Sequence, residues 1–427
     1  MGNNYTTAIF IDRKVIKADM TKFTNIYSAD EVSSPGGKLR INKLFYNLIR
    51  FYFLFMPAYM LTVKIAGAQQ ATYWKDATYI ICFVFGFFLL VKNKFILIYI
   101  VLIFSTLLLE VFRIKPYFEY ITWLIMGLPL VLYFRYIRVK DYTFDCYIIG
   151  LILISAFIWT EFFEKSGKYA YTFADEGGVL ATMRNNLMRV RYFFVSPMSF
   201  SQYCWFGLLV VFTNQHLNKY FKIICIVLST YIIFTCNTRA GVLLFVLSVC
   251  MLIYTSLSRP KRWHLFFIFT SLVVVLFLQI FISLQKNKNM GEGDSDLMRI
   301  TAISKGIQSS SEHVILGMGG EFFSTRSKHS LTFENSYLSY TNSFGIIGIL
   351  FVILFLFILV FKTENKKIIL FSIPWTAYSF VFPAFQEITA VIITWFIIGM
   401  ILNGKRINEL LYLGKDNRLE KDTTPDL

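Results

Sequence analysis

The sequence predicts an all-α, polytopic membrane protein with about 12 transmembrane helices and a large loop on one side between helices 9 and 10. Three observations carry that prediction. Of the 427 residues, 56% are hydrophobic and 18% aromatic, while 16% carry charge. The apolar residues fall in continuous runs of roughly 20, the length that crosses a hydrocarbon core, where only helices and closed barrels satisfy the backbone. Lys and Arg produce a net charge of +16 but gather between the runs. There they set orientation, and no nucleic-acid module accompanies them.

Taken in order, residues 1–43 read as a charged cytoplasmic tail with no apolar stretch ending in a small-residue cleavage site, so the first span directs insertion. Spans follow at 44–63, 78–92, 95–112, 117–137 and 147–163. A polar segment, 164–194, separates these from spans at 195–213, 220–236, 239–257 and 264–284. A second polar segment, 285–335, precedes spans at 336–361, 368–384 and 388–403, and residues 404–427 form a second cytoplasmic tail. The transmembrane domain is therefore 44–403. With the amino terminus inside, the short inward loops carry thirteen Lys and Arg, among them Lys366 and Lys367, against five in the short outward loops, Lys64, Lys75, Arg113, Lys115 and Arg239. That bias places both termini in the cytoplasm and both long polar segments outside. The six cysteines lie within or beside apolar runs without paired spacing, which argues against disulfides and zinc.

The chemistry available is narrow. No GxxxxGK[ST] phosphate loop, HExxH, spaced Cys/His cluster or GxSxG elbow occurs, so carboxylates, histidines and arginines must carry any reaction. Arg239, in Asn237-Thr238-Arg239-Ala240-Gly241, sits between two apolar runs with almost no loop around it. It either snorkels to headgroups or clamps a phosphate with its planar fork. Arg299 opens an amphipathic stretch, RITAISKGIQSSSEHVILGMGG, whose Gly317, Gly319 and Gly320 permit positive φ and a tight reversal. In RNNLMRVRYFFVSP, Arg191 precedes a span, and an interfacial anchor is as good a reading as a binding segment. Arg326 and His329 follow in the second long segment, which ends at Glu334 and Asn335. An acid and an amide ahead of an apolar run serve as a helix cap or as a proton acceptor with its neighbour. Gly345 and Gly348 then allow close approach of a neighbouring helix.

Over about residues 180–360 these pieces resemble, in pattern and order, the O-antigen polymerase and O-antigen ligase superfamily of bacterial envelope glycosyltransferases. Arg191 with Ser196-Pro197 is similar to the family's arginine and Pro-Asn-like element. Thr238-Arg239-Ala240-Gly241 looks like its Ser-Arg-Gly turn, and Arg299 with Gly317-Met318-Gly319 like the start of its large loop. Glu334-Asn335-Ser336-Tyr337-Leu338 and Gly345-Ile346-Ile347-Gly348 correspond to its His-Asn-x-x-Leu and Gly-x-x-Gly. Two departures stand out. Ligases carry histidine where Glu334 stands, whereas polymerases often show Glu, and the tryptophan often seen shortly after the loop arginine is absent.

The resemblance implies a GT-C-like, inverting, metal-independent glycosyltransferase of the bacterial inner membrane that uses no cofactor. It would polymerise oligosaccharide repeat units on undecaprenyl pyrophosphate at the periplasmic face, for O-antigen or capsule. The implied partners are those lipid-linked substrates and membrane lipid, with a chain-length regulator and a flippase alongside. On this reading Glu334 is the catalytic base, with His329 as the alternative. Arg191, Arg239, Arg299 and Arg326, with Asn335 and Tyr337, bind pyrophosphate and sugar. Two other functions stay open, an O-antigen ligase acting on lipid A core and a lipid-linked oligosaccharide flippase or transporter. A transporter has no need of an outer loop of roughly fifty residues. Other membrane glycosyltransferases place paired acids in the first outer loop, which here holds only Asp76.

Overall fold

The computed structural model describes residues 36–55, 68–113, 116–164, 192, 194, 196–236, 238–257, 295–323, 335–363, 365–380, 387–404, 407 and 410. Every regular element among them is helical. The chain divides between Asn47 and Leu48 into two units. The first contributes the opening turns of α1 (Gly36–Phe55), and everything described below belongs to the second.

The second unit continues through α2 (Ala68–Leu90), α3 (Lys94–Val111), α4 (Tyr120–Ile125), α5 (Leu130–Tyr136) and α6 (Val139–Trp159), the last running into a π-helical turn at Thr160–Glu164. Next come α7 (Pro197–Thr213), α8 (Lys219–Thr235), α9 (Arg239–Leu257) and α10 (Ser295–Glu312), followed by a 3₁₀ turn at Gly320–Phe323. The last elements are α11 (Ser336–Phe344), α12 (Ile346–Leu356) with a π-helical turn at Phe357–Phe361, α13 (Lys366–Ser379) and α14 (Ile388–Leu402). Asparagine starts several of them. Asn93 accepts from Phe95 N at 3.0 Å, Asn218 from Tyr220 N at 2.8 Å and Asn365 from Lys367 N at 2.7 Å, each satisfying a donor that the first turn leaves free.

The helices follow the predicted spans with instructive offsets. α1, α2 and α6 begin at Gly36, Ala68 and Val139, earlier than the predicted 44, 78 and 147, because hydropathy reads the apolar part of a helix and misses its polar continuation. The stretch 117–137 is two short helices joined through residues 126–129, and Pro129 there contributes no backbone donor. The stretch 336–361 is broken at Gly345. The predicted span 264–284 lies outside the described residues. Among the described residues, Lys94–Val111 and Val139–Phe162 are each long and apolar enough to cross a bilayer, and five further apolar helices run 10–17 residues.

The packing separates a centre from a periphery. α7, α13 and α14 are buried on nearly every face, as helices apolar all round should be at the middle of a bundle. α14 lies against α5 so closely that a Cβ on Gly399 would stand 3.1 Å from Leu130 O. α2, α3, α6 and α8 turn Phe88, Phe104, Leu151 and Val227 outward, an apolar exterior that water would penalise and lipid accepts. All six cysteines are free, five of them buried.

Several charges among the described residues are matched. Asp145, fully buried on α6, accepts from Arg50 Nε at 3.0 Å and from the Tyr133 hydroxyl at 2.8 Å, and Arg138 Nε donates to the nearby Asp141 at 2.6 Å. At the start of α13, Lys366 Nζ donates to Thr255 O near the end of α9 at 3.1 Å. Lys367 Nζ donates to Thr213 O at the end of α7 at 3.2 Å. Two predicted orientation signals are thus also cation caps on helix carboxyl ends.

Candidate functional site

The first turn of α7 organises the opposite end of the bundle. Ser196 caps it, accepting from Ser199 N at 3.0 Å, and Pro197 occupies a position where the missing N–H costs nothing. Helical geometry then sends successive polar side chains to three different neighbours. Ser199 donates to the Glu387 carboxylate at the start of α14, and Gln202 Nε2 donates to the Tyr378 hydroxyl on α13. Ser201 Oγ accepts from Thr238 Oγ1 at 2.8 Å, immediately ahead of Arg239 and α9. A Cβ at Gly241 would stand 2.6 Å from Ser201 Cβ, so the glycine two positions after Arg239 is what lets α9 approach α7.

Beneath this rim lies an aromatic floor. Trp205 stacks on Trp375 with ring centroids 5.5 Å apart, and Trp375 stacks on Tyr378 at 5.1 Å. Both indoles are anchored, Trp205 to Ser248 at 2.8 Å and Trp375 to Thr394 at 2.9 Å. Gln202 Oε1 is buried without a hydrogen-bond partner. Such a group costs about 1–3 kcal/mol, which a donor arriving from a bound molecule would relieve. Beside the rim, Tyr192 adopts φ +50°, a left-handed backbone rare for a bulky residue. Its hydroxyl lies 3.1 Å from Ser155 Oγ and its ring 5.7 Å from Phe200, which fixes the chain just after Arg191 against α6 and α7.

α11 joins the rim to a second motif. At its start, the Asn335 side chain accepts from Leu338 N at 2.9 Å and donates to Phe380 O at 2.6 Å, so one amide both caps α11 and ties it to the end of α13. Tyr337 is buried, its ring 4.4 Å from that of Phe380. At the far end of α11, Gly345 (φ +57°) turns the chain sharply into α12. The turn around Gly317 (φ +65°) and Gly319 (φ +119°) packs into the break, with Met318 N donating to Asn342 O at 2.7 Å and Gly319 N to Ser343 O at 2.9 Å. Ile346 N returns a bond to Ile315 O at 3.3 Å. The two glycine motifs separated along the sequence are one interlocked unit.

Arg113, just past the end of α3, clamps that unit. Its guanidinium donates to Leu316 O at 2.7 Å and to Gly317 O and Met318 O at 3.0 Å each, and pairs with Glu110 at 3.2 Å. Glu110 in turn accepts from Tyr117 N at 3.0 Å and Gly320 N at 3.1 Å.

Of the residues singled out from sequence, Asn335 and Tyr337 lie in this assembly. Arg239 and Arg299 belong to α9 and α10, but their side chains fall outside the description, and Arg191, Arg326, His329 and Glu334 lie outside the described residues. The segments flanking Arg239, Arg191 and Glu334 nevertheless reach the α7–α13 end of the bundle through Thr238, Tyr192 and Asn335. Sequence reasoning passed over Glu387, Gln202 and Arg113. Glu387, in Phe385-Gln386-Glu387-Ile388, is an acid at the lip of an apolar run just as Glu334 is, and that shared signal marks it.

Residues 224–353 match the family model described as O-Antigen ligase. No curated protein matches the chain. The matched range holds Thr238–Gly241, Arg299, the Gly317–Gly319 turn, Asn335 and the Gly345 break, every resembling element except the one at Arg191 and Ser196-Pro197. Across residues 224–353, therefore, the match supports the chain's resemblance to the O-antigen ligase and polymerase superfamily.

Proposed function

We propose that the protein is a polysaccharide polymerase of the bacterial inner membrane, multi-pass with both termini cytoplasmic. It joins undecaprenyl-pyrophosphate-linked oligosaccharide repeat units at the periplasmic face. The observation that carries this reading is the gathering of Ser199, Ser201, Thr238, Asn335 and Glu387 at one end of the bundle, through direct bonds among α7, α9, α13 and α14 and from α11 to the end of α13. That end is the one the distribution of Lys and Arg assigns to the outside.

The chemistry follows from the charges involved. A hydroxyl of one lipid-linked unit attacks the anomeric carbon of the growing chain, and the bond from that carbon to the lipid pyrophosphate breaks with inversion. The hydroxyl proton passes to the Glu334 carboxylate, with His329 as the alternative base. The leaving pyrophosphate carries away several negative charges, which Arg239, Arg299, Arg191 and Arg326 balance with bidentate hydrogen bonds. Asn335 fits a supporting role, since its side chain fixes the backbone immediately after Glu334. A chain-length regulator and a flippase would act with such an enzyme.

A second reading, ligation of the finished chain to lipid A core, is favoured by the matched model's description. The acceptor separates the two. Purified protein given lipid-linked repeat units alone, without divalent metal, should produce a ladder of extended chains. Glu334→Gln should lower that extension by roughly 10²–10⁴-fold, the usual worth of a positioned base. A product that forms only when lipid A core is added would replace polymerase with ligase, and near wild-type extension by Glu334→Gln would move the base to His329.

A further inference from the structure

The turn between α10 and the Gly317 break is apolar and outward-facing. Val314, Ile315 and Leu316 are 44%, 71% and 57% exposed, a concentration of large hydrophobic surface that a loop in water would not carry. It is continuous with a helix face of the same character. Ile346 N bonds Ile315 O, and below Ile346 the outward residues of α12 are Ile349, Leu350 and Ile353.

Helix length fixes the depth. The apolar stretch from Ile346 to Phe361 ends at Lys362, whose ammonium lies 5.3 Å from the Phe95 ring centroid and 5.9 Å from that of Phe357, an arrangement suited to a cation at a membrane boundary. At 1.5 Å per residue this stretch covers roughly 24 Å, whereas the hydrocarbon layer is about 30 Å thick. With Lys362 at one boundary, Ile346 stops short of the other, and the turn bonded to it lies at or below that second boundary.

An irregular backbone tolerates such a depth when its polar groups are satisfied within the protein, and the carbonyls from Ile315 to Met318 are. Gly317 N donates to His313 O at 2.9 Å, Ile315 O accepts from Ile346 N, and the carbonyls of Leu316, Gly317 and Met318 accept from Arg113. The arginine that supplies those donors is itself neutralised by Glu110.

We propose that Val314–Leu316 is a membrane wedge. Its three side chains insert among lipid acyl chains of the leaflet at that end of the bundle, and so hold α10 and the Gly317–Gly319 turn at the bilayer surface. The occupant is lipid because the exposed turn extends the lipid-facing side of α12 without a break. The proposal stands apart from the catalytic reading and survives its failure.

Site-directed nitroxides test it. In proteoliposomes of the full chain carrying Cys250→Ser, a label attached through Ile315→Cys should collide with oxygen in preference to a water-soluble nickel chelate. Its oxygen-to-nickel accessibility ratio should be several-fold above that of a label at Ser311→Cys on α10. Val314→Cys and Leu316→Cys report the same depth from side chains already exposed, so one variant that folds poorly leaves the measurement intact. A ratio at all three positions equal to that at 311 would put the turn in water. Low accessibility to both reagents would mean that protein, including a second copy, covers it. Either result overturns the wedge.

Discussion

Asn335 takes the N-cap of α11 with its own side chain, so Glu334, one position earlier, is not the residue that closes the helix. The acid-amide pair therefore splits into an anchor, Asn335, and a carboxylate one position outside the cap. Arg239 is the complementary test on the leaving-group side. Arg239→Ala should lower chain extension by about 10²–10³-fold, as loss of one preorganised donor does, and Arg239→Lys should rescue poorly because a point charge cannot reproduce a planar fork. Extension assays at matched protein levels decide it: full activity of Arg239→Ala removes Arg239 from the site, and full activity of Arg239→Lys overturns the bidentate fork. These candidates were visible in sequence because acids and arginines are conspicuous beside apolar runs. Gln202 was not, since an amide in Ser199-Phe200-Ser201-Gln202 looks like any polar residue near a helix start until its neighbours are known. Arg113 counted as an outward-loop charge, and only three carbonyls brought together by folding reveal its role.

Elements were legible where composition changes abruptly and obscure where it does not. The glycines of Gly317-Met318-Gly319 stood out in a polar segment and do adopt positive φ. Gly345 sits at the entrance of a long apolar run, where an unbroken helix is the simplest reading, and its bend depends on the distant turn that fills it. Gly345→Ala should therefore cost more than the ~1–3 kcal/mol of left-handed strain, because the new Cβ would stand 2.5 Å from Ile315 O. Loss of the monodisperse peak in detergent chromatography is the expected result, and a normal peak would refute the interlock. The link between α1 and α6 makes a second prediction. Arg50→Leu leaves Asp145 buried and unpaired at about 3–5 kcal/mol. Arg50→Leu combined with Asp145→Leu should recover part of that loss in thermal unfolding, and a double variant no more stable than the single one would contradict the pairing.

At the scale of the molecule, a membrane protein was readable from composition alone, and the outward apolar side chains of α2, α3, α6 and α8 agree with it. Orientation rests on the distribution of Lys and Arg, and labelling decides it. With both termini cytoplasmic, a thiol introduced by Met290→Cys should react with an impermeant reagent in intact spheroplasts, and one introduced by Lys261→Cys only after permeabilisation. The reverse pattern would invert the bundle and move the polar end of α7 to the side where nucleotides are found. Helix ends were the least legible feature, because α1 and α6 extend through polar residues that hydropathy assigns to loops.

Lys366 and Lys367 serve the protein at two moments of its life. On the positive-inside reading, they are the charges that would hold their loop back on one side while the nascent chain is threaded into the bilayer. Once the bundle closes, the same ammonium groups are drawn onto the carbonyls of Thr255 and Thr213. A signal read during biosynthesis thus becomes a bolt in the finished article, and the loop that carries it is fixed in place by having been read correctly. Charge reversal there would disturb insertion and closure together. A neutral side chain that still donates, as in Lys367→Gln, separates the two events.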